Sequence, residues 1–255
     1  MIIDNTLIEQ VCITAVAAGK AILKIYHSGE KIHVSLKKDH SPLTIADKTA
    51  HDIIADGLEK IDPAIPVLSE EGADIPYETR RHWEYFWCVD PLDGTKEFIY
   101  RTDEFTVNIA LIHLQKTVLG VIYVPAFDTL YYGSAITGSY RRKGEGAWEK
   151  LMVDSSVTEW TAIGSRSHAS DEEKDVLSKY PVTNTIAAGS SLKFCRIAEG
   201  AAQIYYRHGP TMEWDTAAGQ AIAENSGAIM TRPDGAPFEY NKISLLNSGF
   251  ICKVM

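Results

Sequence analysis

The stretch 87–98 constrains the fold of this chain more than any other. An apolar run over residues 85–89 ends abruptly at Asp90, and a second carboxylate, Asp93, follows three residues later, before a Gly-Thr pair. This pattern predicts a buried strand whose end presents two acids, followed by a tight turn and then a helix or a further turn that begins at Thr95.

Asp90 and Asp93 predict a metal-assisted phosphate site. Two carboxylates this close repel each other unless a cation lies between them, and hard divalent ions such as Mg2+ prefer oxygen ligands. The N–H groups of Gly94, Thr95 and Lys96 point outward in such a turn and suit an anion such as phosphate.

Chain length and charge limit the classes of protein that remain. The chain has 255 residues and a net charge of −9, so it can form one large domain or two closely packed halves. The negative charge argues against non-specific nucleic-acid binding, which needs a basic face. An acidic protein that handles phosphate needs a local positive charge, which bound metal ions would supply.

The four cysteines favour a reducing compartment. Cys12, Cys88, Cys195 and Cys252 each lie in an apolar segment, and none forms a C-x-x-C pair, which predicts buried free thiols and a cytoplasmic protein. The N-terminus lacks a basic region, and we find no apolar run near the ~20 residues of a membrane-spanning helix. We therefore expect neither signal peptide nor membrane span; peripheral contact with the cytoplasmic face of the inner membrane stays open.

Two further acids lie at the ends or beginnings of predicted elements. A short apolar strand over 65–68 ends at Glu70, as the central strand ends at Asp90, and two such strand ends predict a shared site. Asp47 follows Thr44 by three residues at the start of a helix, in an arrangement like a capping box. Asp47 also has a purely structural explanation, since the helix dipole favours an acid in the first turn.

The second half of the chain offers two more signals. Asp215 begins an Ala-rich helix over 214–225, where capping alone could explain it, although the small residues behind it allow a close approach to another backbone. A glycine turn at residue 189 leads into a helix with Ser190, Ser191 and Lys193. Such a turn can bind phosphate, and a capped helix with a solvated lysine is the alternative.

The order of elements predicts an α/β protein with α+β character. Amphipathic helices are expected over 4–26 and from Thr44 onward, and an antiparallel meander over 106–142. Strands and helices alternate beyond residue 160, which predicts a mainly parallel sheet. We expect an N-terminal α+β half over 1–150 and a C-terminal α/β half over 151–255, joined in one compact catalytic unit.

Together these motifs resemble the signature set of the inositol monophosphatase-like, metal-dependent phosphatases. The set consists of Glu70-Glu71, Asp90-Pro91-Leu92-Asp93-Gly94-Thr95 and Trp214-Asp215-Thr216-Ala217-Ala218. Within that superfamily, three segments resemble the 3′(2′),5′-bisphosphate nucleotidases of the CysQ type. These are Ser41-Pro42-Leu43-Thr44-Ile45-Ala46-Asp47, Lys96-Glu97-Phe98 and Gly189-Ser190-Ser191-Leu192-Lys193-Phe194-Cys195.

The resemblance implies a layered αβαβα fold, lithium sensitivity and a role for each matching residue. Glu70, Asp90 and the Leu92 carbonyl would hold one Mg2+, and Asp90, Asp93 and Asp215 a second, with a weaker third ion near Glu70. Thr95, linked to Asp47, would activate the attacking water. The remaining matches would contact the substrate: Asp93, Gly94, Thr95, Ser190, Ser191, Lys193 and Asp215.

The implied reaction is hydrolysis of the 3′-phosphate of adenosine 3′,5′-bisphosphate to AMP and phosphate, and of the sulfated form of that nucleotide, in the setting of sulfate assimilation. Inositol monophosphatase or another sugar-phosphate phosphatase activity on the same metal core is the alternative. A phosphatase of the haloacid dehalogenase type and a non-enzymatic regulator that kept the fold are the more distant ones. Oligomeric state is open.

We predict that Asp90→Asn nearly abolishes phosphate release while leaving the protein folded. The substitution removes one of the charges that would hold the metal ions, and unaided phosphate-monoester hydrolysis is extremely slow. Phosphate release in excess Mg2+ and circular dichroism of the variant measure the two effects. Near-normal turnover would contradict the assignment of Asp90.

Overall fold

The computed structural model describes residues 2–29, 34–36, 42–72, 74–165 and 171–255. Ser41 of the resemblance motif lies outside these ranges. The sequence also predicts a strand over 31–36, a loop over 37–42 and a helix over 170–178, of which residues 31–33, 37–41 and 170 lie outside the described ranges. The described helices are α1 (Asn5–Tyr26), α2 (Ile45–Ile61), α3 (Tyr77–Arg80), α4 (Thr95–Ile99), α5 (Asp171–Leu177), α6 (Leu192–Ala198) and α7 (Glu213–Asn225).

The described strands form three sheets. The largest has seven strands in the order β3-β4-β5-β6-β7-β8-β9, of which only β3 and β4 run parallel. Its members are β3 (Val67–Ser69), β4 (Tyr85–Asp93), β5 (Thr106–His113), β6 (Lys116–Val124), β7 (Thr129–Ser134), β8 (Gly138–Lys143) and β9 (Glu149–Leu151). A separate short pair joins β1 (Val34–Leu36) to β2 (Pro42–Thr44).

The third sheet has five strands in the order β11-β10-β12-β14-β13. It combines parallel pairs of β10 with β11 and β12 and antiparallel pairs of β14 with β12 and β13. The prediction of a mainly parallel sheet was therefore wrong for β14, which follows β13 with no helix between them and runs antiparallel to both of its neighbours. The strands are β10 (Trp160–Gly164), β11 (Val182–Ala187), β12 (Ile204–Arg207), β13 (Ala228–Thr231) and β14 (Phe250–Val254).

These elements stack as five layers. Helices α1 and α2 cover one face of the seven-stranded sheet, and α6 and α7 lie between that sheet and the five-stranded one. Helix α5 covers the outer face of the five-stranded sheet. The αβαβα order is therefore confirmed, and one apolar core cluster includes residues from both halves of the chain. The division at residue 150 stays a prediction.

Most element predictions from the sequence are confirmed within a few residues. Asp4 caps α1 through Leu7 N, and Thr44 caps α2 in a capping box with Asp47. The central strand was predicted to end at Asp90, but β4 continues to Asp93 with an irregular register against β5. The irregularity brings both acids to the same end of the strand.

Helix α1 differs from the expectation that no apolar run is long enough to cross a membrane. It has 22 residues and a mean hydropathy of 1.5 over an 18-residue window, which meets that requirement by length and composition. Half of this window is buried within the fold, where Val11, Ala15 and Ile22 are fully covered. A buried core helix meets the same test, so α1 is weak support for a membrane span.

Candidate active site

The end of β4 and the turn after it form the centre of the site. Asp90 is buried, and its Oδ1 accepts a hydrogen bond from Leu92 N at 3.0 Å. Gly94 has a φ of 88°, in the left-handed region that glycine adopts without strain. This conformation turns the chain sharply into α4 at Thr95.

Four acids from three segments meet at this point. A side-chain hydrogen bond joins Glu70 to Asp90. Burial raises the pKa of Asp90 well above its ordinary value, and three neighbouring negative charges raise it further, in decreasing order those of Glu70, Asp93 and Asp215. Burial also raises the pKa of Asp215, with the charge of Asp93 as the next cause. The structure thus brings together the acids that the sequence selected.

Asp93 is anchored from the neighbouring layer. Its Oδ2 accepts hydrogen bonds from Ser191 N at 2.6 Å and from Asn108 Nδ2 at 3.3 Å. Burial raises the pKa of Asp93, whereas the charge of Lys193 and these hydrogen bonds act in the opposite direction. Asn108 was not predicted, because an asparagine inside an apolar strand gives no signal of what it faces.

Asp215 lies in the first turn of α7 rather than at its cap. Its Oδ2 accepts a hydrogen bond from Met212 N at 2.8 Å, and Met212 is the residue at the cap position. The helix start is fixed by Glu213, which is fully buried and accepts hydrogen bonds from the Lys242 ammonium and from Asn241 N, both at 2.7 Å. This anchoring sets the position of the Asp215 carboxylate.

Thr95 and Asp47 are in contact, as the resemblance implied. The Thr95 hydroxyl donates to Asp47 Oδ1 and lies equally close to the Leu92 carbonyl oxygen, each at 3.3 Å. The other oxygen of Asp47 accepts from the backbone N–H of Thr44 at 2.7 Å and from its hydroxyl at 2.6 Å. Asp47 therefore serves both in the capping box of α2, as the partner of Thr44, and as a partner of Thr95.

The turn before α6 lies against the same acids. Ser191 is buried, and its hydroxyl donates to Asn108 Oδ1 at 2.7 Å, so this residue holds Asp93 in place. Ser190 and Lys193 instead line a cavity beside the acids. The Lys193 ammonium donates to the Ser190 carbonyl oxygen at 2.6 Å, and burial lowers the pKa of this lysine.

This cavity, which we call the substrate cavity, has a volume of about 390 Å3. Three acids and three bases line it: Asp93, Glu97, Asp215, Lys96, Lys193 and Arg207. Sequence reasoning missed Arg207, whose Nε is buried and has no hydrogen-bond partner among the described residues. A lone arginine at the end of a predicted strand gave no signal, because only the fold places β12 beside the acids.

The acids fit a hard divalent ion by their chemistry. They are oxygen donors, and the charge repulsion that raises the pKa of Asp90 is what a bound cation would relieve. Within the described ranges, no three His, Cys, Asp or Glu side chains are placed so that they could hold a metal ion without some rearrangement. One oxygen each of Asp93 and Asp215 is occupied by a backbone N–H.

The αβαβα layers define a class, the sugar-phosphatase type of fold, with its acids at the end of β4, directly after β3 and in the first turn of α7. Comparison with known proteins narrows the class. Residues 4–252 match the inositol monophosphatase family, so the chain belongs to that family. Members of this family generally use a divalent metal ion.

Two sequence relatives and one solved structure are similar over nearly the whole chain. The 3′(2′),5′-bisphosphate nucleotidase CysQ of Escherichia coli K12 is 47% identical over 96% of this chain and 98% of its own. CysQ of Buchnera aphidicola is 42% identical over 98% and 94%. The crystal structure of CysQ from Bacteroides thetaiotaomicron superposes with a TM-score of 0.83 at 42% identity, covering 96% of both chains.

We predict that Asp90→Asn raises the thermal stability of the metal-free protein. A carboxyl whose pKa is raised on folding stabilises the fold fully only below its unfolded pKa, and this stability is lost as the pH rises through the folded pKa. Removing one charge should therefore raise the melting temperature by several degrees near neutral pH. Each kcal/mol of added stability raises the melting temperature of a protein of this size by roughly 2–4 °C. Thermal denaturation in EDTA measures the effect.

The effect should reverse in excess Mg2+, which should stabilise the parent protein more than the variant. Asp56→Asn is the matched control, because this acid lies on the exposed face of α2. A variant that is less stable than the parent in EDTA would contradict the proposed repulsion.

Proposed function

We propose that this protein hydrolyses the 3′-phosphate of adenosine 3′,5′-bisphosphate, releasing AMP and phosphate. The observation that carries the proposal is the meeting of Glu70, Asp90, Asp93 and Asp215 beside a cavity that also holds Lys193 and Arg207. The acids provide a place for metal ions and the reacting phosphate. The positively charged side chains of Lys193 and Arg207 provide a place for a second phosphate group.

Five groups would hold the Mg2+ ions. Two ions would serve catalysis, and a third would bind more weakly near Glu70. The five groups are the carboxylates of Glu70, Asp90, Asp93 and Asp215 and the carbonyl of Leu92. When bound, Mg2+ supplies charge stabilisation to the transferring phosphoryl group and lowers the pKa of water.

The chain's own residues orient the reactants. The Thr95 hydroxyl is directed by Asp47 Oδ1, so it can accept a proton from the attacking water while it passes its own proton to the carboxylate. The N–H groups of Gly94 and Thr95 stand at the start of α4 and donate to the phosphate oxygens. Asp93 and Asp215, each fixed by a backbone N–H, both line the substrate cavity.

Lys193 and Arg207 favour a substrate with two phosphates. Both side chains line the substrate cavity, so two cations are available to a group beyond the reacting phosphate. Ser190, at the turn before α6, completes this side of the cavity. The same arrangement would accept the sulfated nucleotide, in which the second phosphate carries a sulfate.

Inositol monophosphatase activity is the second candidate, because it needs the same acids. It does not need a second cation beside the reacting phosphate, because polyol hydroxyls could give Arg207 only hydrogen bonds to a neutral acceptor and not charge-assisted ones. We place the enzyme in the cytoplasm, where its buried free cysteines stay reduced. We expect it to bind a nucleotide as its small-molecule partner and no nucleic acid. A role in sulfate assimilation follows from the proposed substrate.

The proposal is tested by steady-state kinetics with two substrates. We expect kcat/KM for adenosine 3′,5′-bisphosphate to exceed that for inositol 1-phosphate at least about 100-fold in Mg2+, because two charge-assisted contacts are lost with the polyol. Asp90→Asn is the control for contaminating phosphatases. Equal or greater efficiency with inositol 1-phosphate would assign the chain to the second candidate.

We predict that Arg207→Met selectively impairs the bisphosphate. Losing a charge-assisted hydrogen bond to the second phosphate should lower kcat/KM for adenosine 3′,5′-bisphosphate by roughly 10–100-fold. Hydrolysis of 3′-AMP, which lacks that phosphate, should change much less. Arg232→Met is the control, since Arg232 pairs with Asp234 on the surface. An equal loss with both substrates would show that Arg207 does not read the second phosphate.

A further inference from the structure

A second cavity lies between the first half of α1 and strands β7 and β8. Its volume is about 550 Å3, and it shares no lining residue with the substrate cavity. Ile8 and Cys12 of α1 form part of its wall and are buried, while Ile13 lies exposed at its edge. A volume of this size is typical of small-molecule sites.

Three aromatic rings form the opposite wall of this second cavity. Tyr132 and Tyr140 are cross-strand neighbours on β7 and β8, and their rings stack with centroids 5.3 Å apart at 20°. Trp148 meets the Tyr132 ring edge-on, with centroids 4.8 Å apart. The aromatic wall thus offers flat faces and edges to a planar ligand.

One cation in this cavity, Arg142, forms no ion pair within the described part of the chain. Its guanidinium lies over the Trp148 ring, with Cζ 4.6 Å from the centroid, and its Nε is buried without a hydrogen-bond partner. A buried donor without a partner is costly to a fold, and a planar guanidinium beside aromatic rings suits a ligand that carries a carboxylate.

The neighbouring Arg141 shows what a structural arginine looks like on the same strand. Arg141 is adjacent to Arg142 on β8 and belongs to another cavity. Its guanidinium bonds Glu199 at 2.8 Å and also Glu149. Charge pairing therefore accounts for Arg141 completely, and it leaves Arg142 unexplained.

We propose that the second cavity binds a planar aromatic monocarboxylate. The ring would lie against Tyr140 and Trp148, and the carboxylate would accept hydrogen bonds from the Arg142 guanidinium. Glu9 also lines the cavity, so the site holds one acid and one base. This balance favours a single negative charge on the ligand over the double charge of a phosphate monoester.

The test follows the indole N–H signal of Trp148 by nuclear magnetic resonance, assigned with Trp148→Phe. The probe is 2-naphthoate, which combines two fused rings with one carboxylate. 2-Naphthalenemethanol supplies the same rings without charge, and acetate supplies the charge without rings. We expect 2-naphthoate to shift the Trp148 signal saturably, and the two partial probes to bind at least about tenfold more weakly.

Arg142→Met should weaken 2-naphthoate binding at least about tenfold, while the matched variant Arg141→Met should bind as the parent does. Arg142→Lys, which keeps the charge but not the planar fork, covers the case in which Arg142→Met fails to fold, and it should bind with intermediate affinity. No saturable shift, equal binding of the uncharged probe, or equal binding to a folded Arg142→Met would each overturn the proposal. None of these readouts depends on phosphatase activity.

Discussion

Repulsion among four carboxylates is the constraint on which the rest of this structure depends. Asp90 is buried at the end of β4, and Glu70, Asp93 and Asp215 lie close enough to raise its pKa. Such a cluster opposes folding unless other interactions hold it together or a cation enters. Backbone N–H groups hold it at two points, from Ser191 to Asp93 and from Met212 to Asp215.

The fold keeps these acids together by packing α7 very closely against the large sheet. A β-carbon on Gly120 of β6 would lie 2.4 Å from the carbonyl oxygen of Ala218, so only glycine permits this approach. Glu213 and Lys242 then fix the start of the helix. The position of Asp215 therefore results from contacts on two sides, sheet and loop, that do not involve the site itself.

Much of this could be read from the sequence, because the informative residues are local. Three features are short-range patterns with one physical explanation each: the acid pair before Gly94, the start of α4, and the capping box of Thr44 with Asp47. The αβαβα layering and the family followed from motifs that retain their order along the chain, and both are confirmed.

Features that depend on long-range packing could not be read in this way. The antiparallel direction of β14 is set by its pairing with β12 and β13, which local periodicity does not encode. Arg207 and Asn108 gain meaning only when β12 and β5 lie beside the acids. Ser191 was expected to contact substrate, whereas its buried hydrogen bonds to Asp93 and Asn108 give it a positioning role; its contact with substrate stays a prediction.

The most direct test of the account is anomalous diffraction from crystals soaked in Mn2+, a substitute for Mg2+ with a strong anomalous signal. The account predicts anomalous density at the carboxylate of Asp90, with a further site reached by Asp93 and Asp215, and loss of this density in Asp90→Asn. Ordered Mn2+ found only elsewhere, or density that persists unchanged in the variant, would contradict it.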